Sequence, residues 1–173
     1  PNTPTAIRLI QDLKKMMKSK EDELGFRASP FGNDLFSWEV QLFKFDKGSD
    51  IEKDLQQYQK QTGRNYIQLQ VSFPPDYPIS PPFVRVIQPR FKFHTGRVTV
   101  GGSLCTDILT MEGWSAAYDI ESLFINITSA IIDGKPRIDF SHSTPYSIEE
   151  AKQAFVRVAS DHGWKISNWL PKK

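Results

Sequence analysis

Residues 67–87 read Ile-Gln-Leu-Gln-Val-Ser-Phe-Pro-Pro-Asp-Tyr-Pro-Ile-Ser-Pro-Pro-Phe-Val-Arg-Val-Ile. Apolar and polar side chains alternate from Ile67 to Phe73, which predicts a β-strand with one buried face. The apolar run from Phe83 to Ile87 is a further strand candidate. Between them, five prolines in the nine residues 74–82 exclude a helix and a central strand, because proline fixes φ and lacks a backbone N–H. The stretch therefore predicts two strands joined by a rigid surface loop.

The same alternation occurs upstream, from Phe36 to Leu42, and its phase changes at Phe43. This pattern predicts another strand, with a β-bulge where the phase changes. A short segment near Phe26 adds one more strand. Together the four segments predict an antiparallel meander.

Residues 47–63 lie between the second and third predicted strands and form an insertion in that hairpin. Ser49 and Glu52 have the spacing of a capping box. Behind them, apolar residues at helical spacing predict a short helix. These residues are Ile51, Leu55 and Tyr58.

Three longer segments have helical periodicity. The first begins after Thr3, a suitable N-cap, and extends to about Leu24. The second, from Ala116 to Ile132, is apolar enough to be a central buried helix, and the third follows a capping box that begins at Ser147. Helices at both ends of the chain with a meander between them define an α+β protein. The length of 173 residues predicts a single domain, 1–173.

The composition is that of an ordinary globular protein, with 39% hydrophobic and 24% charged residues. The formal net charge of +2 is too small to indicate nucleic acid as a partner. No apolar run approaches the ~18–20 residues that cross a bilayer, so we expect no membrane partner. The first residues lack the charged and apolar parts of a signal peptide. Because the chain does not begin with Met, we expect it to be a domain cut from a longer protein.

Cys105 is the only cysteine, which excludes an intrachain disulfide and favours a reducing compartment, the cytoplasm or the nucleus. The histidines are scattered and do not pair with Cys105 at zinc-ligand spacing, so we expect no metal. The thiol lies in residues 91–114, an irregular segment that contains Gly101 and Gly102. Irregular segments longer than ~12–15 residues inside a compact domain are usually functional. Cys105 is therefore a candidate nucleophile, although a lone cysteine is often simply buried.

Four motifs, in this order, resemble those of ubiquitin-conjugating enzymes with the UBC fold. They are Arg8-Leu9-x-x-Asp12-Leu13, Gly32-Asn33-Asp34-Leu35-Phe36-Ser37-Trp38, the proline loop Phe73–Pro82, and Gly102-Ser103-Leu104-Cys105-Thr106-Asp107-Ile108-Leu109 followed by Trp114-Ser115-Ala116-Ala117. The resemblance extends almost from end to end. It implies a UBC fold: a four-stranded antiparallel meander with an N-terminal helix, a central helix and one or more C-terminal helices.

The resemblance implies that Cys105 accepts ubiquitin from an activating enzyme as a thioester and transfers it to a substrate or a ligase. A thiolate suits this task, since it is both a good nucleophile and a good leaving group. ATP is used by the activating enzyme, so we expect no cofactor in this chain. The expected partners are ubiquitin, the ubiquitin-activating enzyme and ubiquitin ligases.

The resemblance also implies a surface that the activating enzyme and the ligases share. Its residues are Lys14, Lys15, Ile79, Ala116 and Ala117. Ala116 stands where a proline is common in the family, which argues against ordinary RING-type ligases as partners.

The sequence departs from the family upstream of Cys105, where His94-Thr95-Gly96 replaces the usual His-Pro-Asn. The family's Asn is credited with supporting the oxyanion, and losing such a donor costs ~10²–10³ in rate. We expect a substitute donor. In order of preference, the candidates are the backbone N–H groups of Gly101 and Gly102, the Thr99 hydroxyl and Arg97.

Further candidates for acid–base or orienting roles follow from the same comparison. They are His94, and the carboxylates Asp133 and Asp139 after the central helix. The insertion, the glycine-rich replacement and the sequence Gly113–Tyr118 are together most similar to the Q-type branch of the family.

Two other functions remain open at this level. Loss of the Asn is compatible with a catalytically inactive UBC-like module that binds ubiquitin or a ligase. The order Cys105, His162, Asn168 is that of some thiol proteases, which makes a cysteine hydrolase the third hypothesis.

Overall fold

A computed structural model describes residues 3–167 and residue 170. Four strands form one antiparallel sheet in the order β1-β2-β3-β4. The strands are β1 (Phe26–Phe31), β2 (Asp34–Leu42), β3 (Ile67–Ser72) and β4 (Phe83–Gln88). This is the four-stranded meander that the alternating patterns predict.

The register of the sheet places the apolar side chains of neighbouring strands opposite one another. Val40 of β2 pairs with Leu69 of β3, which pairs with Val86 of β4, and all three are fully buried. The bulge predicted at Leu42 and Phe43 is wrong, because β2 ends at Leu42. The Phe43 ring instead lies against the guanidinium of Arg27, 4.5 Å from the ring centre, and so leaves the core.

The opening helix is shorter than its periodicity predicts. Helix α1 is Pro4–Met17, with the Thr3 hydroxyl accepting the Ala6 N–H at 3.1 Å. It is followed by the single turn α2 (Glu21–Leu24). The helix breaks at Ser19, whose N–H bonds the Met16 carbonyl and whose hydroxyl bonds the Lys15 carbonyl. Serine competes in this way with the continuation of a helix.

Helix α3 (Asp50–Thr62) occupies the predicted insertion between β2 and β3. The Ser49 hydroxyl accepts the Glu52 N–H at 3.3 Å, but the Glu52 carboxylate accepts the N–H of Gly48 at 2.9 Å. The predicted capping box is therefore only half formed. Buried side chains at Ile51, Leu55 and Tyr58 pack this helix against the core.

The central helix α4 (Ile120–Asp133) begins four residues later than predicted, because Asp119 caps it by accepting the Ser122 N–H at 2.8 Å. Its inner face is fully buried. Helix α5 (Ile148–His162) begins with the predicted capping box, in which Ser147 and Glu150 exchange hydrogen bonds of 3.1 and 3.2 Å. Over the described residues, every helix is too short or too polar to cross a membrane.

Candidate active site

Cys105 lies at the base of a tight hairpin formed by residues 97–105. The Thr99 N–H donates to the Ser103 carbonyl at 2.9 Å, and the Cys105 N–H donates to the Arg97 carbonyl at 2.7 Å. Inside the hairpin the hydroxyls of Thr99 and Ser103 are 2.7 Å apart and buried. The backbone of the thiol is therefore held directly opposite Arg97.

The hairpin is attached to the free side of β4. The Val86 N–H donates to the Gly102 carbonyl at 2.8 Å, and the Leu104 N–H donates to the Val84 carbonyl at 3.2 Å. Leu104 is fully buried and Cys105 is half-buried, so the chain passes from core to surface at the thiol. A single 3₁₀ turn, Asp107–Leu109, follows.

The two glycines at the tip of the hairpin are packing residues. A Cβ on Gly101 would lie 2.2 Å from the Glu150 carbonyl oxygen of α5. Gly102 has a φ of +98°, and a Cβ there would lie 2.5 Å from the Tyr146 ring. The Gly102 N–H already donates to the Thr99 carbonyl at 3.0 Å, so the structure does not leave this predicted oxyanion donor free. The Thr99 hydroxyl is likewise engaged with Ser103.

The segment that replaces His-Pro-Asn is bound to the end of α4. The Gly96 N–H donates to the Gly134 carbonyl at 2.8 Å, and Arg97 forms a salt bridge with Asp133. The structure thus brings Asp133 to Arg97, and through Arg97 to the base of the hairpin. Asp133 is exposed, and its carboxylate is engaged with the guanidinium.

Burial and one cation act on the thiol in opposite directions. Burial raises the pKa of Cys105, and the positive charge of Arg97 lowers it. Burial is the larger effect, so the thiol is mostly protonated at neutral pH. Anything that moves Arg97 closer or further changes the thiolate fraction and hence the reactivity.

His94 is exposed, adopts a φ of +59° and packs its ring against Phe93, with ring centres 3.8 Å apart. The neighbouring Thr95 is not singled out by the sequence, yet its hydroxyl donates to the Lys92 carbonyl at 2.8 Å and accepts the Arg137 N–H at 3.2 Å. The residue in the place of the family's proline therefore ties two segments together.

Asp139 lies beyond this region. Its carboxylate is 2.9 Å from His142 Nδ1 and accepts hydrogen bonds from Ser141. The bonds from Ser141 and then His142 lower the pKa of Asp139 to about 2. The carboxylate is thus occupied within its own turn.

The five residues of the expected partner surface are all at least partly exposed, and hydrogen bonds join the three segments that carry them. Arg8 of α1 donates to the carbonyls of Ala116 and Tyr118 at 3.0 and 2.7 Å. Trp114 Nε1 donates to the Pro78 carbonyl at 2.8 Å, which links the proline loop to the same region. Ile79 is 73% exposed.

Lys15, on that surface, pairs with Asp119. Burial alone would raise the pKa of Asp119, but hydrogen bonds from Lys15 and Ser122 lower it to about 2. The hydrogen bond to Asp119 and its charge raise the pKa of Lys15. The ion pair fixes the cap of α4 to α1.

The residues of the hydrolase hypothesis are not brought together by what is described. His162 Nδ1 is 2.9 Å from the Val158 carbonyl, and its ring stacks on Trp164 at 4.5 Å. Asn168 lies outside the described residues. Among residues 3–167 and 170, no cluster of three His, Cys, Asp or Glu side chains is arranged to hold a metal ion.

Comparison with known proteins identifies the class. The family model described as "Ubiquitin-conjugating enzyme" matches residues 8–162. Human ubiquitin-conjugating enzyme E2 G1 has a similar structure, with a TM-score of 0.59 and 24% identity over 75% of this chain and 96% of that one. An E2 from Plasmodium falciparum matches with a TM-score of 0.56 and 19% identity, over 76% and 86% of the two chains. The chain belongs to the ubiquitin-conjugating enzyme family and has its fold.

Curated relatives narrow the assignment. The chain is 36% identical over 162 residues to human "Ubiquitin-conjugating enzyme E2 Q1", covering 91% of this chain and 38% of that protein. It is 30% identical over 164 residues to "Ubiquitin-conjugating enzyme E2 25" of Caenorhabditis elegans, covering 91% and 42%. A shorter human relative, named as a Q-type-like ubiquitin-conjugating enzyme, is 35% identical over 136 residues, covering 75% and 81%. Within the family the chain is a Q-type member. It spans about two fifths of the length of E2 Q1.

Proposed function

We propose that this chain accepts ubiquitin from an activating enzyme as a thioester on Cys105 and passes it to a substrate or a ligase. The observation that carries the proposal is the placement of Cys105: the family's cysteine motif ends in a half-buried thiol at the base of a hairpin anchored to β4. The attacking thiolate forms a bond to the carbonyl carbon of the ubiquitin C-terminus, and the leaving group is the thiolate of the activating enzyme. A later acceptor reverses this step by displacing Cys105.

Arg97 is the group we propose to meet the charge that develops on the carbonyl oxygen. It is the cation whose field reaches the Cys105 sulfur, and its side chain is about half exposed, so it is accessible to an incoming acyl group. The Gly102 amide is engaged within the turn. This ranks Arg97 above the glycine amides that the sequence alone favours. Preorganised charge of this kind is worth ~10²–10³ in rate.

The first experiment is thioester formation. The protein is incubated with ubiquitin, activating enzyme and ATP and analysed on a non-reducing gel. We expect a single adduct that disappears with reductant and is absent from Cys105→Ala. Because Cys105 is the only cysteine, a thiol-sensitive adduct reports that position alone. No adduct, or one that persists in Cys105→Ala, contradicts the proposal, and binding of ubiquitin without an adduct indicates the inactive module.

The acceptor is determined on the charged protein. Free lysine, serine, threonine and cysteine are offered in parallel, and loss of the adduct is followed in time. The amine, hydroxyl or thiol that discharges it fastest defines the acceptor class. We also propose that the partners are the activating enzyme and ligases that dock on the Lys14, Lys15, Ile79, Ala116 and Ala117 surface, and that the unpaired thiol functions in a reducing compartment, the cytoplasm or nucleus.

A further inference from the structure

Helix α3 carries a buried carboxylate that faces the active-site side of the molecule. Asp54 is only 6% exposed. Its Oδ2 accepts Arg137 Nε at 2.8 Å and the Ile138 N–H at 3.0 Å, and its Oδ1 accepts Arg137 Nη2 at 3.3 Å. The carboxylate therefore fixes both the side chain and the backbone of the segment that follows α4. A two-pronged bond of this kind also sets orientation.

The segment held by Asp54 in turn holds the segment upstream of Cys105. The Arg137 carbonyl accepts the Lys92 N–H at 2.8 Å, and the Arg137 N–H donates to the Thr95 hydroxyl at 3.2 Å. Phe91 and Ile138 form an isolated β-bridge. The two segments thus run together as a short pair of strands, braced at one end by α3.

The other end of this pair is the thiol. Gly96 donates to Gly134, Arg97 pairs with Asp133, and the Arg97 carbonyl accepts the Cys105 N–H. A continuous set of hydrogen bonds therefore connects Asp54 with the hairpin of Cys105. Of the described groups, Arg97 is the cation that acts on the sulfur, Asp133 is its partner, and Asp50 also acts on Arg137.

We propose that Asp54 is a positioning residue for Cys105: the inserted helix holds residues 92–97 through Arg137, and so keeps Arg97 beside the thiol. Its significance for catalysis rests on the proposed function, but the positioning itself does not. Asp54 does not touch the reacting atoms. Its removal acts by loosening the pair of segments and letting Arg97 move away from the sulfur.

The test is the pH dependence with which iodoacetamide alkylates Cys105 in Asp54→Asn, compared with the unchanged protein. Alkylation follows the thiolate fraction. When Arg97 moves away, the pKa of Cys105 rises, so the profile moves to higher pH. A shift of half a pKa unit slows alkylation about threefold at pH ~7.5, and we expect a decrease of at least this size.

The matched control is Leu55→Ala, which weakens the packing of the same helix, since Leu55 is 5% exposed, but leaves the carboxylate in place. We expect a lower Tm with an unmoved alkylation profile. A second variant, Arg137→Lys, keeps the cation and loses the two-pronged bond, so we expect a smaller shift in the direction of Asp54→Asn. It serves as the test if Asp54→Asn does not fold.

The outcomes are distinct from those of the proposed function. Profiles of Asp54→Asn and Arg137→Lys that match the unchanged protein overturn the positioning role, as does an equal shift in Leu55→Ala. If the unchanged protein forms no thioester, the proposed function fails while the alkylation comparison still decides the role of Asp54.

Discussion

Replacing Gly102 by Ala tests whether this glycine serves packing or chemistry. The substitution places a Cβ 2.5 Å from Tyr146 at a φ of +98°. Tyr146 cannot easily give way: its hydroxyl accepts the Phe91 N–H at 2.9 Å, and its backbone bonds both Ile87 and Arg85. A clash of this kind in a well-packed region costs ~1–3 kcal/mol. The left-handed backbone adds ~1–2 kcal/mol for any residue with a Cβ.

The sum predicts that Gly102→Ala lowers the free energy of unfolding by about 2–5 kcal/mol. For a chain of this size 1 kcal/mol corresponds to ~2–4 °C in Tm. The matched control is Gly48→Ala, which has a φ of +81° but no atom within 4 Å of the added Cβ. It should lose only the backbone contribution of ~1–2 kcal/mol. The difference between the two variants measures the contact with Tyr146.

Both variants are compared by denaturant titration and thermal unfolding followed by circular dichroism, and then by thioester formation. We expect Gly102→Ala to be clearly less stable than Gly48→Ala. Equal stability of the two variants would show that the contact with Tyr146 does not restrain the tip of the hairpin. A stable Gly102→Ala that no longer forms the thioester would restore the oxyanion role to this glycine.

Asp119, Tyr77 and Ile79 each give a further prediction. Asp119→Asn keeps an N-cap acceptor but loses the charge paired with Lys15; because the folded pKa of Asp119 is about 2 and its ordinary value 3.8, the charge stabilises the fold above pH ~4. Allowing for solvent screening of this partly exposed pair, the variant should be about 1 kcal/mol less stable at pH ~7 in denaturant titrations, a difference that vanishes as the pH falls towards ~2. Tyr77→Phe removes the hydroxyl that donates to buried Asp12 at 3.0 Å and should cost about 1–2 kcal/mol; an unchanged Tm contradicts this. Ile79→Ala, at a 73% exposed side chain, should change stability by less than ~0.5 kcal/mol yet slow ligase-stimulated discharge several-fold, and equal discharge rates would remove Ile79 from the docking surface.

The sheet can be predicted because burial of one face imposes a period of two on each strand. The ends of elements depend on distant contacts instead. The helical spacing begins at Ala116, but Arg8 binds the carbonyls of Ala116 and Tyr118, and the helix begins only after the Asp119 cap. The bulge predicted at Phe43 is wrong because an arginine on another strand covers that ring. Neither partner is visible from local spacing.

The site shows the same division. Cys105 is identified by its motif, and Asp133 by its place after the central helix. The sequence assigns the glycines to chemistry because the residues they pack against, Tyr146 and Glu150, lie more than ~40 positions further along the chain, beyond the reach of any local pattern. Asp54 is missed although a signal exists: it lies three residues after Ile51, next to the apolar face of its helix, where a carboxylate needs a buried partner.

The attachment of the Cys105 hairpin to β4 has a consequence for colloidal behaviour. An outermost strand with unpaired N–H and C=O groups recruits strands from other molecules and promotes aggregation. Here the hairpin bonds the Val84 carbonyl and the Val86 N–H, and so shields that edge. A substitution that detaches the hairpin from β4 should therefore reduce solubility and reactivity together, and precipitation on expression would be the visible sign of a disrupted catalytic loop.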